Sequence, residues 1–258
     1  MGSDRGLILT DRTDGPPVRV DPGTDGVGRI LVVTAHPDDV DFAAAGSVAT
    51  WTRAGIEVAY CIATNGEAGG SDRSLDRTDM ASIRRAEQTE AAACVGVTDL
   101  TFLGFPDGRL IADLALRCAI ARVIRRFRPD RVVTQFSQRN WSRIYASHPD
   151  HMAAGEAAMC AVYPDARNPF AFPELLEEGL EPHTVPELWV MATERADRAV
   201  DTTDAYPAKL AALRSHRSQV GDGDHLEALL TGWMGATAAE AGLPEGRLAE
   251  AFLVIDTA

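Results

Sequence analysis

The chain has 258 residues, of which 45 % are hydrophobic and 24 % are charged, fractions that exclude collagen-like, coiled-coil and wholly disordered proteins. With 25 Lys and Arg residues against 38 Asp and Glu residues, the net charge is −13. Because an acidic chain repels phosphate groups, we expect neither nucleic acid nor an anionic membrane surface as a partner.

The first 28 residues are rich in Gly, Pro and Asp, and their longest apolar run is Leu7-Ile8-Leu9. A signal peptide needs an apolar core of roughly 7–15 residues, and a membrane span needs roughly 18. We therefore expect a cytoplasmic protein with a flexible N-terminal arm (residues 1–28) and a single domain (residues 29–258). No two cysteines form a Cys-x-x-Cys pair, which favours reduced core residues. They are Cys61, Cys94, Cys118 and Cys160.

Segments typical of buried strands alternate along the chain with segments typical of helices. The predicted strands are 29–34, 57–64, 100–103, 131–136, 188–192 and 251–255, and the predicted helices are 40–54, 80–95, 114–127, 151–162 and 206–218. This alternation predicts an α/β fold, a mostly parallel sheet with helices on both faces. Residues 163–186 contain five prolines, which predicts a surface excursion. The arginines between 122 and 131 are interpreted as a solvated helix face.

Two short motifs combine histidine with aspartate. Ala35-His36-Pro37-Asp38-Asp39 follows a predicted strand, and Ser147-His148-Pro149-Asp150-His151 begins a predicted helix. Ligands of open α/β sheets bind beyond the carboxyl ends of the strands, where both motifs are predicted to lie. The two motifs together therefore mark a candidate site.

The spacing within these motifs suits a metal ion. Pro37 suits the first position of a helix, so His36 and Asp39, three residues apart, would face one point. With His151 they offer two imidazoles and one carboxylate, the ligand set of a catalytic zinc site with an open water position. The same set admits Fe2+ or Co2+.

At these residues the sequence resembles the PIG-L (LmbE-like) family of zinc-dependent N-deacetylases. The resemblance implies a Rossmann-like three-layer α/β/α fold. It covers the chain from Arg29 to about Gln219, and its elements follow the family's order. They are residues 35–39, 64–67, 84–87, 102–104 with Asp107, 148–151, and Lys209 with 216–219. One departure is Val40, where many members carry Glu; Asp41 follows it, and its role stays open.

The resemblance also implies roles. It assigns His36, Asp39 and His151 as metal ligands, Asp38 as the general base and His148 as the group that supports the tetrahedral intermediate. In this hypothesis Asp38 takes a proton from a metal-activated water, and a protonated His148 stabilises the oxyanion.

Three further residues match or adjoin substrate-binding positions of the family: Arg84, Asp107 and Glu67 would hold sugar hydroxyls. Asp150 would assist catalysis by fixing the tautomer of His148 or by orienting His151, and the sequence leaves both alternatives open.

These observations predict a hydrolase that removes an N-acetyl group from a small molecule containing an amino sugar. Two alternatives remain: an amidase that cleaves a larger N-acyl group or amino-sugar conjugate, and a non-catalytic protein that binds a metal or a sugar. A dinucleotide-binding protein is disfavoured because no G-x-G-x-x-G follows the first strand. A serine hydrolase is disfavoured because G-x-S-x-G is absent. The oligomeric state stays open, a homo-oligomer included.

Overall fold

The computed structural model of the chain describes residues 18–70, 74–141, 144, 147–220 and 225–258. Within them, eight strands form one sheet in the order β1-β7-β8-β6-β5-β2-β3-β4. The strands are β1 (Arg19–Val20), β2 (Arg29–Thr34), β3 (Glu57–Thr64), β4 (Asp99–Phe105), β5 (Arg131–Gln135), β6 (Glu187–Met191), β7 (Arg198–Asp201) and β8 (Ala249–Asp256). Among these strands, β8 runs antiparallel to β6 and β7 and the other pairs are parallel, which confirms the predicted mostly parallel sheet.

Helices cover both faces of the sheet. They are α1 (Asp39–Ala43), α2 (Ala45–Arg53), α3 (Arg77–Cys94), α4 (Leu114–Phe127), α5 (Pro149–Cys160), α6 (Pro173–Glu177), α7 (Tyr206–Ser215), α8 (Arg217–Val220) and α9 (His225–Glu240). Because side chains alternate along a strand, Leu31 and Val33 of β2 pack with α4 and α5, whereas Ile30 and Val32 pack with α2, α3 and α7. This confirms the three-layer α/β/α fold. No helix in the described ranges is both long and apolar enough to span a membrane.

The predicted helix over residues 40–54 is two helices that meet at Ala44, whose φ of −144° is not helical. The break has a partner in β8. The Glu250 carboxylate accepts from the backbone N–H groups of Gly46 (3.0 Å) and Ser47 (2.7 Å), which begin the second helix. These two N–H groups would otherwise lack partners, so Glu250 stabilises the new helix start.

Helix α9 is absent from the sequence prediction. Its buried residues are Leu226, Leu230, Met234 and Ala238, spaced four apart. That spacing is a helical signal, but Gly232 and Gly235, with Thr231 and Thr237 on either side of them, weaken it. Strand β7 is also missing from the prediction because its four residues are too few for a clear alternation.

Residues 18–28, predicted as part of a flexible arm, have contacts with the sheet. Strand β1 pairs in parallel with β7, the Trp51 indole donates to the Pro22 carbonyl (2.8 Å), and Arg131 donates to the Gly23 carbonyl (2.7 Å). Strand β1 therefore adds an edge strand to the sheet within the segment predicted as an arm, and the point at which the domain begins stays a prediction. Residues 1–17 lie outside the described part of the chain.

The basic cluster is only in part the solvated face that was predicted, since Arg126 and Arg128 are exposed but two other members are buried. Arg125 and Arg131 are each 2 % exposed. Arg131 stacks on the Trp189 ring at 3.9 Å and pairs with Glu187 at 2.7 Å. Arg125 donates to backbone carbonyls of the proline-rich excursion, and that excursion is partly buried through Leu175. The cysteine prediction holds for Cys61, which is buried and free, but Cys94 is free and exposed, and Cys118 and Cys160 are intermediate.

The order of the strands places the two motifs side by side. From β2 the chain builds outward through β3 and β4, and it then returns to β5 on the other side of β2. The carboxyl ends of β2 and β5 therefore meet where the sheet changes direction, which is where ligands bind in such folds.

Candidate active site

The first motif forms a tight turn rather than the first turn of a helix. Helix α1 begins at Asp39, and Asp38 at its N-terminal boundary has φ 90° and ψ −25°, a left-handed conformation. The Asp39 carboxylate folds back and accepts from the backbone N–H of His36 at 2.7 Å. Pro37 is thus not the first helical residue, and the turn, not a helix face, brings His36 and Asp39 together.

The second motif begins a helix, as predicted. Helix α5 begins at Pro149, two residues before the predicted start at His151. His148 is the capping residue, and its Nδ1 accepts from the backbone N–H of Asp150 at 3.2 Å. Pro149 follows at the first helical turn, where its missing N–H costs nothing. His151 therefore lies one turn into α5 and points back to the first motif.

Three ligand atoms of the predicted metal set converge. His151 Nε2 lies 2.9 Å from Asp39 Oδ1 and 3.2 Å from His36 Nδ1, and His36 Nδ1 lies 3.5 Å from Asp39 Oδ2. Ligand atoms of a tetrahedral zinc ion with bonds of about 2.0–2.1 Å lie about 3.3 Å apart, so these separations, which involve both oxygens of Asp39, suit such an ion. His148 also lies close, with its ring centroid 5.0 Å from those of His36 and His151.

The other nitrogen of His36 faces two carboxylates. Nε2 lies 3.0 Å from Asp107 Oδ1 and 3.3 Å from Asp150 Oδ2. Both oxygens accept, so Nε2 carries a proton, which leaves Nδ1 as the ring nitrogen that could bind a metal. A carboxylate behind a histidine is the usual way to fix the tautomer of a metal ligand.

Burial and charge act in opposite directions on this cluster. Burial alone would lower the pKa of His36, but hydrogen bonds to Asp107 and Asp39 raise it to about 10. Burial would raise the pKa of Asp107, but the bonds to His36 and Ala68 lower it to about 2. The pKa of Asp39 is well below its usual range because the attraction of His151 and His36 outweighs burial. The cluster therefore favours the ionised forms of Asp39 and Asp107.

Asp150 does not act as either predicted alternative requires. Its carboxylate accepts from the backbone N–H groups of Gly108 (2.7 Å) and Leu110 (3.2 Å) and lies beside His36. Asp150 is the second residue of α5. Its side chain points to the loop after β4, away from the rings of His148 and His151. It therefore orients His36 rather than His148 or His151.

Two of the predicted sugar-binding residues have partners within the chain. Asp107 is 6 % exposed, and its second oxygen accepts from the Ala68 N–H at 2.7 Å. Glu67 accepts from the Asp107 N–H at 2.9 Å and from Arg77 at 3.3 Å. These bonds join the loops after β3 and β4. Contact of either residue with a sugar stays a prediction.

Arg84 is also turned inward. Its guanidinium is 4 % exposed and donates to the carbonyls of Pro37 (2.5 Å) and Gly66 (3.0 Å) and to Asp38 Oδ2 (2.9 Å). The residue therefore holds the first motif and the predicted base from behind. Its predicted contact with sugar hydroxyls is not tested by these bonds.

The pKa of Asp38 is raised to about 6, because burial and the charge of Asp39 outweigh the attraction of Arg84. Burial, reinforced by the charges of His36 and His151, lowers the pKa of His148. Since Nδ1 of His148 already accepts an N–H, its remaining proton lies on Nε2. The ring therefore donates from Nε2, and burial favours its neutral form over the protonated form expected from the sequence.

Three buried residues near Asp38 were missing from the site prediction or left without a role: Gln88, Asp41 and His216, each 0 % exposed. Gln88 donates to Asp41 and accepts from the Asp38 N–H. A signal for Gln88 exists in the sequence, since it lies four residues after Arg84 on a helix face that also carries buried Ala91. Polar residues on such a face indicate a buried network.

Comparison with known proteins identifies a family whose match includes both motifs. Residues 31–162 match the sequence pattern of PIG-L, described as GlcNAc-PI de-N-acetylase. The chain is 32 % identical over 193 residues to the diacetylchitobiose deacetylase of Thermococcus kodakarensis, with 75 % of this chain and 70 % of that protein covered. It is 30 % identical over 243 residues to 1D-myo-inositol 2-acetamido-2-deoxy-alpha-D-glucopyranoside deacetylase 1 of Saccharopolyspora erythraea, with 74 % and 78 % covered.

A solved structure extends the similarity to the fold. The N,N′-diacetylchitobiose deacetylase of Pyrococcus horikoshii, complexed with its inhibitor MPG, superimposes with a TM-score of 0.83 and 28 % sequence identity. The superposition covers 90 % of this chain and 85 % of that one. The structural similarity therefore extends over more of the chain than residues 31–162.

Proposed function

The chain belongs to the PIG-L family of de-N-acetylases, and on that premise we propose that it is a metal-dependent hydrolase that removes an N-acetyl group from an amino-sugar-containing small molecule. The observation that carries the proposal is the convergence of His36 Nδ1, His151 Nε2 and the Asp39 carboxylate within 2.9–3.5 Å of one another. A binding protein for sugars alone would have no use for such a set.

His36, Asp39 and His151 would hold the metal. Two nitrogens and one carboxylate oxygen suit zinc, and Fe2+ or Co2+ fit the same donors. When bound, such an ion lowers the pKa of a coordinated water to about 7 and polarises a carbonyl. Asp107 and Asp150 keep His36 in the tautomer that offers Nδ1 to the ion.

Asp38 would act as the general base. Its pKa of about 6 leaves it ionised at neutral pH, yet close enough to neutrality to carry a proton. It takes the proton from the water that attacks the acetamide carbon and returns it to the nitrogen as the C–N bond breaks. The products are acetate and a free amine, so atoms and protons balance.

His148 would stabilise the negative charge that develops on the carbonyl oxygen. Its Nδ1 is held by the Asp150 N–H, which leaves Nε2–H as the donor toward the site. A fixed donor of this kind needs no reorganisation during the reaction. The neutral ring performs this role without a second proton.

The test combines metal analysis with an assay. We expect the protein, purified without chelator, to contain about one zinc, iron or cobalt ion per chain, as three protein ligands with an open position require. It should release acetate from N-acetylglucosamine, N,N′-diacetylchitobiose or an N-acetylglucosaminyl-inositol. The N-acyl group is tested by offering the butyryl analogues beside the acetyl compounds.

Variants separate the roles. His151→Ala should lose both metal and acetate release, whereas Asp38→Asn should keep the metal and lose activity about 10²–10⁴-fold. His225→Ala is the control, because His225 is an exposed histidine at the start of α9. Full acetate release by Asp38→Asn would overturn the base role, and absence of metal after zinc addition would overturn the site.

A further inference from the structure

Asp38 has a backbone conformation that an ordinary residue avoids. Its φ is 90°, in the left-handed region where the side chain of an L-residue crowds its own backbone. Such conformations persist only where the surroundings hold them, and they are common at functional sites. Other groups of this chain must therefore hold Asp38 in this conformation.

A chain of hydrogen bonds that starts at the Asp38 backbone provides part of this support. The Asp38 N–H donates to Gln88 Oε1 at 2.7 Å. The amide nitrogen of Gln88 donates to Asp41 Oδ2 at 2.8 Å, and His216 Nε2 lies 2.8 Å from the same oxygen. The chain thus joins the turn before α1, α1 itself, α3 and the end of α7.

The direction of each bond follows from its neighbour. A glutamine amide can be placed with its oxygen or its nitrogen toward Asp38, and only the oxygen can accept from the Asp38 N–H. The Asp41 carboxylate accepts only, so it selects the orientation that points the Gln88 nitrogen away from Asp38. His216 supplies the second N–H to that carboxylate, so its proton lies on Nε2.

The chain is buried and has no spare partners to replace a lost member. Asp41, Gln88 and His216 are each 0 % exposed. Within the described residues, Asp41 Oδ1 and His216 Nδ1 are buried without a hydrogen-bond partner. If one of these hydrogen bonds is lost, water at the surface therefore cannot replace it. The neighbouring side chain in the hydrogen-bond chain then loses its orientation.

We propose that Gln88, Asp41 and His216 are positioning residues for the general base: their hydrogen-bond chain holds the Asp38 backbone in its left-handed conformation and so aims its carboxylate at the reacting water. Arg84 holds the Asp38 side chain from the other side. The inference rests on the proposed function only in calling Asp38 the base. The positioning itself is a property of the fold and is measured without substrate.

The experiment compares three substitutions. Gln88→Leu removes both bonds of the amide, and Asp41→Ala removes the group that orients it. Asp41→Asn keeps the acceptor oxygen for Gln88 and His216 and removes only the charge, with its new N–H₂ in the place of the unpartnered Oδ1. The control is Val48→Ala, because Val48 is a fully buried core residue of α2 with no part in the chain.

The first readout is hydrogen exchange of the Asp38 amide in the substrate-free protein. We expect faster exchange in Gln88→Leu and Asp41→Ala than in wild type, with Asp41→Asn and Val48→Ala unchanged. The second readout is kinetics on N,N′-diacetylchitobiose. A base misplaced by about 1 Å costs about 100-fold, so kcat should fall by that factor in the first two variants while KM and metal content stay the same.

The outcomes separate the two proposals. If wild type releases no acetate from any amino sugar, the proposed function fails, while the exchange data still decide the positioning. Wild-type exchange of the Asp38 amide in Gln88→Leu overturns the positioning, and so does wild-type kcat. If Gln88→Leu does not fold, Asp41→Ala against Asp41→Asn decides, since a merely structural role would not restore kcat in the asparagine variant alone.

Discussion

Two buried arginines hold two different parts of this molecule. Arg84, 4 % exposed, holds the turn after β2, and Arg125, 2 % exposed, holds the proline-rich excursion after α5. Both donate to backbone carbonyls. Only Arg84 also binds a carboxylate, Asp38 Oδ2 at 2.9 Å, and that carboxylate is the proposed base.

Arg125 meets carbonyls alone in its hydrogen bonds. Its guanidinium reaches the carbonyls of Asp165 (3.0 Å), Ala166 (3.1 Å), Asn168 (2.9 Å) and Ala171 (3.1 Å), within a segment that makes little regular structure. Buried carbonyls without helix or sheet partners cost free energy unless a donor serves them. With the Leu180 carbonyl at 3.4 Å, one arginine serves five carbonyls, so its role is to let the excursion pack.

Burial of a charged side chain therefore does not identify a functional residue, whereas the groups that the side chain binds do. A guanidinium that binds only backbone stabilises the fold. A guanidinium that binds a carboxylate with a partly exposed side chain also fixes the position and protonation of that group. The side chain of Asp38 is 17 % exposed, so it remains accessible from the site.

The largest expected effect is on stability, from Arg125→Met. Five carbonyls lose their donor at once, and we expect the free energy of unfolding to fall by about 3–4 kcal/mol, as when a buried charged hydrogen-bond network is broken. Urea unfolding measures this. Arg126→Met is the matched control, because Arg126 is the next residue of α4 and is exposed. Acetate release per folded molecule should stay at the wild-type level. A 100-fold loss would contradict the conclusion that Arg125 stabilises only the fold.

The next effect is on activity, from Arg84→Met. We expect kcat to fall about 100-fold, equivalent to about 2.7 kcal/mol of transition-state free energy, because Asp38 loses the group that orients its carboxylate. Arg85→Met is the matched control, since Arg85 is exposed and lies over the Phe102 ring, away from Asp38. Steady-state kinetics on N,N′-diacetylchitobiose gives the value. A rise in KM with unchanged kcat would instead support the sugar contact predicted from the sequence.

These two residues show how far the sequence can be read. The periodicity of apolar residues predicts the strands and most helices, and two dense His-Asp motifs predict the metal ligands, because both signals are local. The partners of Arg125 lie about 40 residues later in irregular chain, so no pattern links them to it. For Arg84 the motif predicts a residue of the site, but residue type alone does not tell whether the guanidinium faces the substrate or Asp38.

The same limit explains the other errors. Asp150 was expected beside the histidines of its own motif, yet its bonds go to the loop after β4, a contact across 42 residues. Spacing along a chain predicts neighbours on one turn of helix. It does not predict which of several nearby groups a carboxylate meets when two loops fold together.

A smaller expected effect tests whether the two arginines stabilise the protein independently of each other. The double variant Arg84→Met and Arg125→Met should lose stability by the sum of the single losses within about 0.5 kcal/mol, because the two sites share no hydrogen-bond partner. Urea unfolding of the four proteins of the cycle gives the interaction term. A coupling well beyond that margin would mean that the excursion and the turn after β2 are held as one unit.

The smallest effect concerns pH and belongs to the region held by Arg125. His183, in the proline-rich excursion, lies with Nε2 2.7 Å from the Pro129 carbonyl, and burial lowers its pKa below the ordinary value of 6.5. The unfolded chain therefore binds a proton at a higher pH than the folded chain does. Stability from this group is present above about pH 6.5 and is lost as the pH falls through the lower, folded value.

His183→Gln isolates this contribution, because glutamine can donate to the same carbonyl but does not titrate. We expect wild type to lose slightly more stability than His183→Gln between pH 7 and pH 5, measured as the difference between their thermal unfolding curves. His225→Gln, at an exposed histidine, should follow the wild-type pH dependence. If His183→Gln and wild type fall in parallel, the ring does not resist protonation, and the excursion is held by Arg125 without a pH-dependent partner.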